Sequence, residues 1–414
     1  MKNTELKAII KKQWDASTKK KNSKKVLLHE PTFNYKEIYE ATKCLISTNV
    51  TMGKKVIDFE KNYNSLFSFR NSISCNSGSS ANLLAVSAII NPDYENRLKQ
   101  GDEVIVPALS WSTTIWPLIQ CNLTPVFVDI DRETLNIDVN EIKKAITKKT
   151  KAIMLVHVYG NPCNMDEILK ICKNYNLTLI EDCCESMGAT YKKKSVGHFG
   201  TLGTFSFYFS HHITTIEGGM VVSKDDRLSE LLRILRAHGW IREVKNKERY
   251  QQKDIDNKFL FVNLGYNLRL NEVQASIGNV QLKKFHSILK KRKKVAERWL
   301  EILKPFENQI LFQKELKNAE HSWFGFCMSL KQIKKNQLND FRNFLTKNGI
   351  ENRPIICGNM VKQPALKKFR HRFIGELSNS NYVMNNSFSI GCHQDVTTDS
   401  QHFVYKLFKN YFGK

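Results

Sequence analysis

Between Ser72 and Asp182 short apolar runs alternate with amphipathic stretches. Ser72–Cys75, Glu103–Pro107, Pro125–Asp129, Ala152–Val158 and Thr178–Asp182 have the length and apolar character of strands buried on both faces. Ala81–Ile90, Val139–Ile146 and Met165–Tyr175 place apolar residues at helical spacing between them. This alternation predicts an α/β domain built on a large, mostly parallel sheet covered on both faces. Ligands of such sheets sit at the carboxyl ends of the strands. Tyr35 to Phe67 reads as helical throughout, and Leu6–Trp14 as a short amphipathic helix. From Asn271 to about Leu303 the helical pattern outruns a typical globular helix and suits a connector between domains. Beyond it, Phe324–Leu330, a helix over Asn336–Asn348 and an irregular tail predict a small α+β domain. The expected organisation is a basic arm over 1–30, a large domain over 31–275, and a connector helix with a small C-terminal domain over 276–414.

A chain of 414 residues, 41% hydrophobic, can bury cores for two such domains sharing a cleft. No apolar run approaches the ~20 residues that span a membrane, and the lysine-rich N-terminus has no signal-peptide pattern. A soluble, cytoplasmic protein without a membrane partner is expected. The ten cysteines have no C-x-x-C or zinc-like spacing, so neither disulfides nor a metal site is expected. The net charge of +24 is spread over the whole chain, with denser runs at Lys19–Lys25 and Lys290–Lys294. Neither of these runs carries interleaved aromatic residues, which argues for solvated helix faces and against nucleic acid. Part of the charge is free to steer an anionic ligand.

Three constellations carry candidate chemistry. Asn76-Ser77-Gly78-Ser79-Ser80-Ala81-Asn82 follows a strand and opens a helix, where small residues and free N–H groups suit a phosphate. Glu181-Asp182-Cys183-Cys184-Glu185-Ser186 ends an apolar strand, placing a carboxylate where a cleft ligand would meet it. The third runs from Gly203 through Ser206, Phe209, Ser210, His211 and His212 to Glu217-Gly218-Gly219-Met220.

This third block resembles the DegT/DnrJ/EryC1/StrS family of sugar aminotransferases, whose pattern runs S-F-Y-P-T-K-N and then G-E-G-G. The resemblance extends from about Val50 to Leu282 through Val50-Thr51-Met52-Gly53, Pro125–Asp129, Val156–Pro162 and Gly265-Tyr266-Asn267-Leu268-Arg269. It implies the aspartate-aminotransferase fold (pyridoxal-phosphate fold type I) and a pyridoxal 5'-phosphate or pyridoxamine 5'-phosphate cofactor. On the family pattern His211 stands where the cofactor lysine belongs, and Phe209 where proline is usual. Imidazole cannot tether the cofactor but can move protons near neutral pH. The resemblance therefore points to the histidine-bearing branch, the nucleotide-sugar 3-dehydratases of deoxysugar and surface-polysaccharide biosynthesis. One histidine branch carries an iron–sulfur cluster on a cysteine group that includes C-x-C. This chain has no C-x-C and no cysteine between Cys184 and Cys327, which favours the cluster-free branch acting on a GDP-linked 4-keto-6-deoxy sugar.

By the same resemblance, Ser79, Ser80 and Ser206 would bind the cofactor phosphate, together with Asn267 of a partner subunit in a homodimer with shared sites. Trp111 would stack on the pyridine ring. Asp182 would pair with its nitrogen, with Glu185 nearby, and His211 would be the acid–base group. Thr51, Met52, Arg242 and Arg269 would face the nucleotide sugar, and glutamate would be the amino donor. His212 is expected to point elsewhere. Two other readings remain open here: a transaminase that recruits another lysine, with Lys192–Lys194 nearest in sequence, and a non-enzymatic sensor or binding module. Borohydride trapping separates the first from the dehydratase, and cofactor absorbance separates the second.

Overall fold

The computed structural model of the chain describes residues 3–17, 24–244, 246–331 and 336–413. Most of the Lys19–Lys25 run thus lies outside the described residues. The large sheet has eight strands in the order Asn71–Cys75, Gly219–Ser223, Leu202–Ser206, Thr178–Asp182, Thr150–Val156, Glu103–Pro107, Thr124–Val128 and Arg372–Phe373. All neighbours pair in parallel except Gly219–Ser223, which runs antiparallel to both of its partners. Its strands are buried along nearly their whole length, as their unbroken apolar runs predict. A core of Ile73, Leu84, Val104, Val106, Phe127 and Met154 fills the space beneath the helices. This is the α/β architecture expected from the alternation of elements.

A second sheet of four antiparallel strands, Ile310–Phe312, Phe326–Leu330, Ser387–Ile390 and Asn352–Arg353, carries its own core. The tail expected to be irregular therefore supplies a central strand and the closing helix Thr398–Phe412.

Two long helical patterns are each two helices. Tyr35–Ile46 starts on a capping box, with the Asn34 side chain accepting from Lys36 N–H and Glu37 accepting from the Asn34 N–H. It stops before Thr48, whose φ of +59° turns the chain away. The following helix, Lys54–Phe67, is capped by a residue far along the sequence. Glu272 accepts from the N–H groups of Gly53 (3.0 Å), Lys55 (2.9 Å) and Val56 (2.8 Å). The connector likewise divides into Glu272–Leu282 and Phe285–Leu303. Phe285 and Ile288 pack with the large sheet's helices, while Ala296, Trp299 and Leu303 enter the small-sheet core. Trp299 is fully buried; truncating such a side chain costs about 3–5 kcal/mol. We therefore place the division between domains within Phe285–Leu303. A boundary at 275/276 would cut the Glu272–Leu282 helix, whose Ala275 and Leu282 belong to the large-domain core.

Residues 24–34 are not a free arm. Val26 is buried and bridges to Ile350, and Leu28 N–H donates to Glu351 at 3.0 Å. Ahead of this strap, Asn3–Ser17 is a helix with no buried residue.

Candidate active site

Three strand ends and one helix start converge at the carboxyl edge of the large sheet. Ser77 caps the Gly78–Ile90 helix, its hydroxyl accepting from Ser80 N–H at 3.0 Å. Gly78 is there because nothing larger fits. A β-carbon on it would lie 2.5 Å from Ser206 Cβ, 2.8 Å from Ser206 Oγ and 3.2 Å from Cys184 Sγ. A β-carbon on Gly219 would lie 2.2 Å from the Ser77 carbonyl oxygen. These two glycines let the helix N-terminus, the end of the Ser206 strand and the loop after Asp182 close into one cradle. Its donors are N–H groups at a positive helix end and serine hydroxyls, the chemistry that holds a phosphate.

Asp182 lies beside this cradle and is buried. One carboxylate oxygen accepts from both Asn82 Nδ2 (2.9 Å) and Thr114 Oγ1 (2.8 Å), and the other from Cys184 N–H (3.1 Å). Thr204 in turn donates to Asn82 Oδ1 at 2.6 Å, which fixes the orientation of the amide. The preceding residue is locked as firmly. Glu181 meets His157 Nε2 at 3.2 Å and accepts from the N–H groups of Gly197 (2.9 Å), Phe199 (2.7 Å) and Gly200 (2.6 Å). Cys163 N–H donates to His157 Nδ1, so His157 gives its Nε2 proton to Glu181. His157, Glu181 and Cys183 lie close enough to suggest a metal site. Both ring nitrogens of His157 and both oxygens of Glu181 are already engaged, so the group is a buried brace for the Asp182 strand.

His211 occupies the loop between the Ser206 strand and Gly219. Its ring lies 5.0 Å from that of Phe324 and 6.2 Å from that of Tyr208. Its Nδ1 is buried and has no hydrogen-bond partner. Desolvation, followed by the charges of Arg353 and Arg292, pushes its pKa down to about 3. The ring is therefore neutral at pH 7 and able to accept a proton. His212 also packs on Phe324, with ring centroids 6.2 Å apart, but is held by a different contact. It is fully buried, and its Nε2 meets the Ser322 carbonyl at 2.9 Å.

The small domain sends Arg353 to the same place. Its guanidinium lies over the rings of Tyr159 and Phe324, and its Nε donates to the Tyr159 hydroxyl at 3.2 Å. Glu185 accepts from Tyr159 N–H at 2.9 Å. Burial pushes its carboxyl up to about 7 against the opposing pull of Arg353.

The structure thus brings Ser79, Ser80, Asp182 and Ser206 together around one cradle, with Glu185 and His211 on the loops that leave it. Trp111 stands 55% exposed at the start of the Ser112–Gln120 helix. Thr51 and Met52 line a groove with Glu272, Lys43, Lys54 and Lys55. Asn267 is exposed and accepts from Arg269 Nε at 3.1 Å. Arg242 is exposed and lies over the Trp240 ring. Asn82 belongs to the first candidate constellation but had no role assigned from sequence, and Thr114 and Arg353 were missed. Asn82 left a signal, a polar residue inside an otherwise apolar helix. Arg353 left none, since it arrives from another domain. Lys192 is committed elsewhere, at a left-handed turn and 2.7 Å from Asp166.

These residues fit a pyridoxal-type cofactor. The cradle closed by Gly78 offers phosphate donors, and Asp182 is a buried carboxylate held by neutral donors. Where the family pattern places a tethering lysine, His211 presents a buried Nδ1 with no hydrogen-bond partner.

Comparison with known proteins gives the same direction. Residues 31–409 match the DegT/DnrJ/EryC1/StrS aminotransferase family. The GDP-4-keto-6-deoxy-D-mannose 3-dehydratase of Yersinia pseudotuberculosis is 40% identical over 380 residues, which is 90% of this chain and 96% of that protein. The solved E. coli GDP-4-keto-6-deoxy-D-mannose-3-dehydratase with bound hydrated PLP superposes with a TM-score of 0.88 at 39% identity, over 92% of this chain and 98% of that one. A GDP-4-keto-6-deoxymannose-3-dehydratase structure with a trapped PLP–glutamate geminal diamine gives 0.88 at 38% identity, over 92% and 99%.

Proposed function

Because the chain belongs to the DegT/DnrJ/EryC1/StrS aminotransferase family, we propose that it is a pyridoxal/pyridoxamine-phosphate-dependent 3-dehydratase acting on a GDP-linked 4-keto-6-deoxy sugar. The observation that carries this reading is His211, an imidazole with a buried, unpartnered Nδ1 on the loop that leaves the cradle.

Ser79, Ser80, Ser206 and the first N–H groups of the Gly78–Ile90 helix would hold the cofactor phosphate. Asp182 would pair with the pyridine nitrogen, and the donors Asn82, Thr114 and Cys184 N–H hold its carboxylate in place for that contact. When bound in its amine form, the cofactor supplies an amino group that takes up the sugar's carbon-4 ketone and a ring that draws in electrons. His211 Nδ1 takes a proton and can return it to the departing carbon-3 hydroxyl. A base with a pKa near 3 is weak, and the negative charge of the phosphate and the nucleotide raises its proton affinity when both are bound. Across a turnover the sugar loses one oxygen. The carbon-3 oxygen leaves as water, water supplies the keto oxygen of 2-oxoglutarate as glutamate gives up its nitrogen, which ends as ammonia, and two electrons pass from glutamate to the sugar.

Ile255, Phe259, Phe261 and Leu264 are 52, 65, 55 and 90% exposed, and Phe259 stacks on Trp240 beside Arg242. An apolar strip of this kind next to Asn267 supports a homodimer in which Asn267 completes the partner's phosphate site.

The test is incubation of the purified protein with cofactor, glutamate and the GDP-linked 4-keto-6-deoxy sugar. A sugar one oxygen lighter, with ammonia and 2-oxoglutarate in equal amounts, is expected. An amino sugar formed without ammonia would mean a transaminase instead.

A further inference from the structure

The His211 loop is held from outside the sheet. Phe209, two residues before His211, meets the His29 ring edge-on at 5.4 Å and the Phe33 ring at 6.4 Å, with interplanar angles of 89° and 86°. Both partners belong to the strap over residues 24–34. A second tie runs through Gln281, which is fully buried. Its Oε1 accepts from the Thr32 hydroxyl and from Thr214 N–H (3.3 Å), and its Nε2 donates to the Thr32 carbonyl (3.0 Å) and to Glu37 (2.8 Å). The strap is fixed in turn to the small domain through Val26, Leu28 and Leu27, whose carbonyl meets His393 Nε2 at 3.2 Å. Downstream, His212 is pinned to Ser322. His211, whose N–H donates to the Tyr208 carbonyl at 3.0 Å while its Nδ1 has no partner, thus lies between two anchored positions, 209 and 212.

We propose that Phe209, gripped by Phe33 and His29 of the N-terminal strap, is the positioning residue that sets His211 for proton transfer. The physical reason is that no covalent tether fixes this loop relative to the cofactor, and phenylalanine lacks the locked φ of proline. Something else must hold the imidazole to within a fraction of an ångström, since a misplacement near 1 Å costs on the order of a hundredfold in rate. The strap supplies this through packed aromatic edges, the favoured geometry for such rings. The inference rests on the role given to His211 above.

The experiment uses Phe33→Ala and Phe209→Ala with Phe33→Leu as the conservative control, each alone and in a His211→Asn background. Turnover is read alongside hydrogen exchange of residues 207–218 in the cofactor-free protein. Phe33→Ala and Phe209→Ala should lower kcat by about tenfold to a hundredfold with KM within about twofold. They should speed exchange in 207–218 while the sheet strands stay protected, and Phe33→Leu should recover most of both effects. In the His211→Asn background they should cost nothing further in kcat. Unchanged kcat, unchanged exchange, exchange accelerated across the whole chain, or a full multiplicative loss on top of His211→Asn would overturn the proposal. If His211→Asn alone turns over at the wild-type rate, the role of His211 has failed, and the exchange data still decide whether the strap holds the loop.

Discussion

Gly78→Ala is the perturbation whose size follows most directly from the coordinates. The new methyl would stand 2.5 Å from Ser206 Cβ and 2.8 Å from its hydroxyl. Carbon atoms pack at about 3.5–4.0 Å, so the helix start and the Ser206 strand must separate by about 1 Å. Neither side can yield cheaply, because the obstacle is a β-carbon on a central strand, not a flexible chain end. Overpacking of this kind costs about 1–3 kcal/mol of stability. The larger effect falls on the cofactor. In the proposed site the helix N–H groups and the Ser206 hydroxyl would hold its phosphate jointly, and moving one set out of reach would remove at least one hydrogen bond to a charged group, worth about 1.5–3 kcal/mol. That corresponds to roughly a tenfold to hundredfold weaker dissociation constant. The assay is titration of the cofactor-stripped protein, with thermal unfolding run in parallel. Ala88→Gly, which weakens the same helix by about 1 kcal/mol away from the cradle, serves as the control. It should lower the melting temperature and leave affinity alone. If Gly78→Ala binds cofactor as tightly as wild type, the cradle is not the phosphate site.

Asp182→Asn should retain the fold, since its hydrogen-bonding neighbours can rearrange around an amide. It should lower turnover by two orders of magnitude or more, because a neutral amide cannot keep the pyridine nitrogen protonated; turnover with cofactor saturation checked by absorbance measures this. His212 and His321 are buried with their pKa values driven down, His321 to about 3, chiefly by burial. Below the unfolded value near 6.5 the unfolded chain takes up the protons that these rings refuse. Stability is therefore highest above that pH and falls as pH drops toward the folded values, by up to about 1.4 kcal/mol per pH unit for each ring. Denaturant unfolding of wild type and His212→Asn between pH 7 and 4.5 should show the variant losing less; equal slopes would contradict the assignment. Leu264→Asp should shift the sedimentation coefficient to that of a monomer and weaken cofactor binding, while an unaltered dimer would place the interface elsewhere.

What could be read in the sequence was local. Each buried strand is an apolar run of its own, and Asn76–Asn82, Glu181–Glu185 and Gly203–Met220 lie at strand ends, where the geometry places the cradle, Asp182 and His211. The errors share one cause, contacts between residues distant in the chain. Nothing near Tyr35–Phe67 reveals that Glu272 caps a second helix there. The first part of the strap reads as the end of a basic arm over 1–30 because its anchors, Ile350, Glu351 and Gln281, lie more than 200 residues away. Arg353 sits beside His211 only because the small domain packs against the Tyr159 turn. The irregular tail concealed a helix and strand whose apolar residues make sense only against the core they close.

The proposed dehydration rests above all on the imidazole of His211. The most direct measurement is single-turnover dehydration of the GDP-linked 4-keto-6-deoxy sugar by wild type and His211→Asn, both loaded with the amine form of the cofactor and followed by mass spectrometry. Asparagine is close in size and polarity but cannot carry the proton. The chemical step should therefore slow by roughly two to four orders of magnitude while cofactor occupancy stays equal. Loss of the carbon-3 oxygen at the wild-type rate in His211→Asn would contradict the central claim.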